Sequence, residues 1–410
     1  MSAVVVFIIF AICLVIAIPI SISLGIVAVL PGAFDASFTA SAGYVIRSMV
    51  GGIDSFPLLA VPMFVLAGIL MAHGKISEKL FDVFVYFLGN KRAGIPCAVI
   101  ITCLFYGAIS GSAPATVAAV GSMTIPLLIE LGYEKDFSTA IVAVAGGLGV
   151  IIPPSIPFIM YAMATGESVS DLFLAGIVPG MMISALLIFY AYYYCRRHGE
   201  DREKIQAKMD QLKTKGFVNI LKESIWALLS PVIVLGCIYS GVASPTEAAV
   251  ISVFYSLFVS LFIYKSIKVK QIWGIMVEAM KTYAPILFIL ATSTAFSRVL
   301  TLMQVPQDVS AWIMTHFSNE IVLLLVINVV LLIVGMVMDT TPAILILSPI
   351  LLPIVEHVGM NPIHFGVMMI VNLAVGFVTP PVGVNLFVAS SLTNVPMMQI
   401  AKKAMPMIGY

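Results

Sequence analysis

Apolar runs separated by short polar stretches set the pattern of this chain from Val4 almost to its end. A helix that crosses a bilayer takes about 20 apolar residues, so the runs predict a series of membrane spans. Val4–Leu30 reads as one retained span, with no basic residue ahead of it and no small-x-small cleavage site after it. Further crossings are expected near Ile225–Tyr239, Ala248–Tyr264 and Thr282–Leu302. Ser77–Leu88 alternates charges with Leu, Phe and Val, which suits an interfacial amphipathic arm or a tilted short span.

Two apolar regions are broken in the same way. One reads FYGAISGSAPATVAAVGSMTIPLLIELGYEKDFSTAIVAVAGGLGVIIPPS from Phe105, the other LLIVGMVMDTTPAILILSPILLPIVEHVGMNPIHFGVMMIVNLAVGFVTPPVG from Leu331. At an offset of 227 residues Pro126 falls on Pro353, Gly132 on Gly359, Gly149 on Gly376, and Pro153-Pro154 on Pro380-Pro381. Each copy has a polar tip followed by a second break that ends in a double proline. Proline removes an amide donor and glycine permits bends. Irregular backbone at membrane depth is tolerated only beside protein or a water-filled cavity. Paired interruptions of this kind point to the central site of a secondary transporter. Any one break could be a proline kink closed by Ser and Thr hydroxyls; four in register fit that account less well.

Basic residues set the orientation. Arg196, Arg197, Arg202, Lys204, Lys208, Lys213, Lys215 and Lys222 crowd one interval, and short Lys/Arg-rich loops stay cytoplasmic. Lys265, Lys268, Lys270 and Lys281 mark the same side two crossings later, so SGVASPTEA between them faces outward. Lys75, Lys79, Lys91, Arg92 and Lys402-Lys403 also read as cytoplasmic. The first broken unit then enters from the cytoplasm and the second from outside. The expected fold is an all-α polytopic membrane protein, an inverted repeat with two re-entrant helical hairpins and two broken transmembrane helices.

Composition supports the membrane reading. The 410 residues are 61% hydrophobic and 10% charged, against about 25% charged in soluble domains, and mean hydropathy is +1.10. The five cysteines and five histidines have no CxxC, HExxH or shared ligand spacing. There is no phosphate loop and no GxSxG elbow, so an enzyme is not expected. A net charge of +1 gives no reason to expect a nucleic-acid partner.

The chemistry available at the breaks is oxygen-rich. Ser110, Gly111 and Ser112 at the first tip, with Gly149 and Pro153 at its partner break, supply one set of hydroxyl and carbonyl donors. Gly335, Asp339 and Thr340, with Gly376 and Thr379, supply a second. Such hard donors suit Na+, so two ion sites are expected. Asp339 is a costly carboxylate within a membrane segment, and sodium or a hydrogen-bond network would each satisfy it. Helix N-termini at the tips can receive a carboxylate, with Ser112, Thr116, Thr341 and Asn385 as substrate contacts. Asn385 reads equally well as a helix-packing hydrogen bonder. Glu247 after SPT is expected to cap a helix. Arg298 reads as snorkelling or pairing near an interface, with an anion-facing charge as the alternative.

Through GAISGSAPATVAAVGSMTIPLL, GLGVIIPPSIPFIMYA, LFLAGIVPG, GVASPTEAA and GFVTPPVGVNLF the chain resembles the large, DctM-like membrane subunit of tripartite ATP-independent periplasmic (TRAP) transporters. The resemblance covers nearly the whole chain. It implies an elevator-type, Na+-coupled permease in a bacterial inner membrane, importing an organic acid anion such as a C4-dicarboxylate or sialic acid. It also implies two partners, a small four-span membrane subunit and a soluble periplasmic substrate-binding protein. The division expected on this basis is N-terminal scaffold and arm at 1–92, first hairpin and broken helix at 93–165, and central scaffold at 166–320. The second hairpin and broken helix follow at 321–395 and a cytoplasmic tail at 396–410. The competing readings are an uncoupled organic-anion channel and a non-transporting membrane scaffold, neither of which calls for two opposed hairpin-and-break units.

Overall fold

The computed structural model describes residues 3–35, 38–214, 216–316 and 319–409, without the side chains of Phe217, Met314 and His316; Lys215 of the basic interval lies outside this set. Among the described residues the chain is almost entirely helical. Eight helices are long and apolar enough to cross a membrane, or nine if one bent pair counts as a span.

The first apolar run is two helices rather than one span. Ala3–Val15 and Ile20–Phe34 pack on each other. Ala17 adopts a left-handed φ of 63°, and Pro19, which lacks an amide donor, stands at the start of the second helix. The expected span at Thr282–Leu302 begins earlier, at Val269, giving a helix of 34 residues. At 1.5 Å per residue it is about 50 Å long, which leaves its lysine-bearing foot outside a hydrocarbon core about 30 Å thick. The basic interval is not an open loop either. It contains a helix, Arg202–Thr214, whose Ile205, Met209 and Leu212 form a buried stripe. That helix packs against Ile76–Leu88, the helix formed by the alternating segment.

One group of helices consists of Ala60–His73 against Pro245–Phe258, and Ile20–Phe34 and Ala42–Ile53 against Val269–Leu302. The expected cap forms at Ser244, whose Oγ accepts from the Glu247 amide while the Glu247 carboxylate accepts from the Ser244 amide.

The other group is built from the repeat. Gly94–Ser110 and Ala113–Glu130 form the first helix pair, and Glu320–Val337 and Thr340–His357 the second. The paired helices following the tips keep the 227-residue register at both ends: Ala113 matches Thr340, and Glu130 matches His357. The first broken span is Lys135–Gly146 continuing through Leu148–Ile151, then Ile156–Thr165, with a bend of 40°. The second is Pro362–Gly376 followed, after residues 377–383, by Val384–Thr393. Both Pro-Pro peptides are cis. The far halves are exchanged: Ile156–Thr165 packs on Thr340–His357, and Val384–Thr393 packs on Ala113–Glu130. Each repeat is therefore completed by the other.

Helices Val169–His198 and Met397–Ile408 are fastened to this group. Val169–His198 packs on Gly94–Ser110 and Pro362–Gly376, and Met397–Ile408 on Lys135–Gly146. Tyr194 donates its hydroxyl to Glu134 at 2.5 Å, Lys403 donates to the same carboxylate at 2.6 Å, and Tyr194 stacks on Phe137 at 3.8 Å. Beside them Glu200 accepts from the Tyr133 hydroxyl at 2.7 Å and the Ala93 amide at 3.0 Å.

Candidate functional site

The first tip forms because Gly111 can turn where other residues resist. Its φ of 61° ends Gly94–Ser110, and Ser112 returns to extended backbone ahead of Ala113–Glu130, whose first turn holds Pro114. Thr116 Oγ1 donates to the Ser112 carbonyl at 2.8 Å and lies 3.0 Å from Ser110 Oγ. Ser110 and Thr116 are buried and Ser112 is half-buried. The side chain of Ser112 makes no cap bond, so its hydroxyl is uncommitted to its own helix.

The first break lies directly against this tip. A Cβ at Gly149 would meet Thr116 Oγ1 at 2.5 Å and the Ser112 carbonyl oxygen at 2.8 Å. A Cβ at Gly107 would meet the Gly149 Cα at 2.7 Å. The Ile156 amide donates to the Gly111 carbonyl at 3.2 Å, and the Pro154 carbonyl oxygen lies 3.0 Å from where a Gly111 Cβ would stand. Ser110, Gly111, Ser112, Thr116 and Gly149 thus come together as one cluster. At the proline pair, the carbonyl facing the tip is that of Pro154, next to the expected Pro153.

The second tip repeats the plan with different chemistry. Asp339 holds the helix-capping position that Ser112 holds in the first repeat, and its carboxylate accepts from the Thr340 amide at 2.7 Å. Gly335 lies against Gly376, where an added Cβ would meet the Gly335 carbonyl carbon at 2.3 Å. The Val382 amide donates to the Met336 carbonyl at 3.1 Å, binding the break to the pair. Thr340, Thr341 and Thr379 are buried, whereas Asp339 is exposed. Thr379 Oγ1 donates to the Val375 carbonyl at 2.8 Å, which leaves its lone pairs free. The first tip is a closed knot of hydroxyls; the second presents a carboxylate.

Asn385 belongs to the seam between the repeats. It is fully buried, its Nδ2 donates to the Ala143 carbonyl at 3.0 Å, and its Oδ1 has no partner among the described residues. Thr341 lies in the first turn of the helix after the second tip and is buried.

Two further features stand apart from the tips, one weighed in the sequence and one not. Arg298 lines a cavity of about 310 Å³ with Ser55, Thr294 and Ser297, facing Leu345 and Pro349 of the helix that follows the second tip. It is exposed and has no ion pair among the described residues. Asn372 donates to Asn328 Oδ1 at 2.6 Å, tying the second broken span to Glu320–Val337.

A family model described as "Tripartite ATP-independent periplasmic transporter, DctM component" matches residues 7–410. The chain is 44% identical to an isethionate TRAP transporter permease protein of Oleidesulfovibrio alaskensis, over 97% of this chain and 62% of that protein. It thus spans less than two thirds of that relative's length. It is 40% identical to the C4-dicarboxylate TRAP transporter large permease protein of Pseudomonas aeruginosa, over 86% of this chain and 81% of that protein. Among solved structures the fold is similar to the YdaH transporter of Alcanivorax borkumensis, with a TM-score of 0.63 and 14% identity, covering 95% of this chain and 93% of that one. MtrF of Neisseria gonorrhoeae is similar at a TM-score of 0.62 and 14% identity, covering 95% of this chain and 91% of that one.

Proposed function

The chain belongs to the DctM family of tripartite ATP-independent periplasmic transporter components, and we propose that it is the large permease subunit of a Na+-coupled importer of an organic acid anion. The family is one of transporter permeases rather than enzymes, and the chain is a multi-pass protein of the inner membrane. The observation that carries the proposal is the doubled tip-and-break unit, in which glycine meets glycine at Gly107–Gly149 and again at Gly335–Gly376. Close backbone approach brings each broken helix against its own tip, and hydroxyl, carbonyl and carboxylate oxygens of the kind a hard cation takes are available on these elements.

In this reading Ser110, Gly111, Ser112 and Gly149, with the carbonyls of the adjoining Pro153-Pro154, hold one sodium. Gly335, Asp339, Thr340, Gly376 and Thr379 hold the other. The tips are re-entrant and point toward each other, so two helix N-termini offer amides to a carboxylate between Ser112, Thr116 and Thr341. Arg298 adds the fixed positive charge that the tips lack. The seam amide of Asn385, bonded to the Ala143 carbonyl, holds the two repeats in register. Two relatives are named for isethionate and for C4-dicarboxylates, both organic anions, which supports an anionic cargo.

Transport follows from sliding the repeat group, together with Val169–His198 and Met397–Ile408, as one body against the Val269–Leu302 group. A soluble substrate-binding protein delivers the anion, and a small membrane subunit widens the fixed part. The test is uptake into proteoliposomes holding the chain with its small subunit and receptor. An inward Na+ gradient should drive accumulation, and replacing Na+ by K+ should abolish it. Flux that follows only the anion gradient would establish the channel reading instead.

A further inference from the structure

We infer that Glu278, held by His73, guards the cytoplasmic mouth of a cavity leading to the first tip, drawing in Na+ and turning anions away. The inference rests on the proposed sodium site at that tip.

A cavity of about 430 Å³ separates Ala60–His73 and Val269–Leu302 from the first helix pair. At one end it reaches Ser110 and Ser112; Glu278 and Thr282 line it along the long helix. Its walls are otherwise apolar, and Glu278 is the only charged side chain among the residues lining it. Lys268 and Lys270 mark the cytoplasmic foot of Val269–Leu302. Glu278 stands about 12 Å above Lys270 at 1.5 Å per residue, with Thr282 one turn nearer the tip. Beside the tip the two helices touch: a Cβ at Gly68 would meet the Ser110 Cα at 3.2 Å, and Tyr106 donates its hydroxyl to the Gly68 carbonyl at 3.1 Å.

His73 Nε2 lies 2.9 Å from Glu278 Oε2. The side chains are 49% and 54% exposed, so the carboxylate keeps water and remains available to a passing ion. A carboxylate at the mouth of an apolar-walled cleft concentrates counter-ions, because low-dielectric walls focus its field. The same field disfavours an organic anion at the mouth in either direction of passage, so an anion leaving does not linger there. Glu278 is therefore a specificity-determining residue that acts on ions before they bind, outside the two proposed sodium sites.

The cavity potential can be read without any transport. In a cysteine-free complex, Thr282→Cys should react from the cytoplasmic face about tenfold faster with a cationic than with an anionic methanethiosulfonate, after correction for intrinsic reactivity. Adding Glu278→Gln should bring that ratio near unity, and Glu278→Asp should keep most of it. Equal rates with Glu278 intact, or a ratio unchanged by Glu278→Gln, would overturn the inference. In proteoliposomes Glu278→Gln should raise the cytoplasmic half-saturating Na+ concentration about threefold or more, leaving the external one unchanged. Equal shifts on both faces would assign Glu278 to packing. A wild-type complex with no Na+ dependence on either face would remove the sodium reading itself, a result distinct from failure of the Glu278 variant alone.

Discussion

Gly149 and Gly376 are positions where one methyl group has nowhere to go. At Gly376 an added Cβ would meet backbone of Gly335 at 2.3 Å, and at Gly149 it would meet the Thr116 hydroxyl and the Ser112 carbonyl. Overpacking of this kind costs about 1–3 kcal/mol. Gly376→Ala should be the more damaging, since it meets only backbone and at 2.3 Å, whereas at Gly149 the shortest contact is to Thr116, which can rotate, and the backbone contact to Ser112 is longer at 2.8 Å. Thermal unfolding of the purified complexes should show that order, and equal stability of both variants with wild type would show the close contacts to be relaxed. Asp339 makes a different kind of prediction. Its carboxylate is exposed and bonded only to Thr340 among the described contacts, so Asp339→Asn should preserve folding while raising the Na+ concentration needed for uptake. Unchanged Na+ dependence would leave Asp339 as a helix cap. The glycines, hydroxyls and Asp339 were legible in the sequence because each is an anomaly in an apolar run. For Arg298 the sequence left snorkelling and an anion-facing charge as alternatives, because the cavity beside it is built from separate helices and shows in no spacing. The Asn328–Asn372 bond joins separate helices and leaves no spacing to read.

Helix boundaries show the same division. The tips and breaks appeared where proline and glycine interrupt hydrophobic runs, since those residues act locally on the backbone. Val4–Leu30 was misjudged because Pro19 sits within uniformly apolar sequence, and apolarity says nothing about whether the chain continues or turns. Arg202–Thr214 was read only for its charge, which masked a three-residue apolar stripe. At this scale the most exposed test is the fastening of Met397–Ile408. Hydrogen bonds from Lys403 and then Tyr194 hold the Glu134 carboxyl below its ordinary pKa of 4.5. A depressed folded-state pKa stabilises above the unfolded value and loses that stabilisation as pH falls through the folded one. Glu134→Gln should therefore lower thermal stability at pH 7 and approach wild type as pH drops below 4.5. With Glu134 47% exposed, the effect at pH 7 should be about 1 kcal/mol or less. A deficit that persists undiminished in acid would show that the bond geometry, not the charge, does the fastening.

For the whole molecule, the exchange of half-helices between repeats packs the two tip-and-break units together, and the distribution of basic residues predicts entrances on opposite faces. The sequence register anticipated the pairing, since all four breaks lie at one offset. It carried no sign of the exchange, which depends on which helix packs on which. The claim that the repeat is inverted underlies the sodium sites, the anion site and the direction of movement alike. Its most direct test is the sidedness of two exposed residues, Lys135 at the foot of the first broken span and Asn361 at the foot of the second. In a cysteine-free complex in sealed vesicles, Lys135→Cys should react with a membrane-impermeant maleimide only from the cytoplasmic face. Asn361→Cys should react only from the outside. Labelling of both from one face would contradict the inverted repeat.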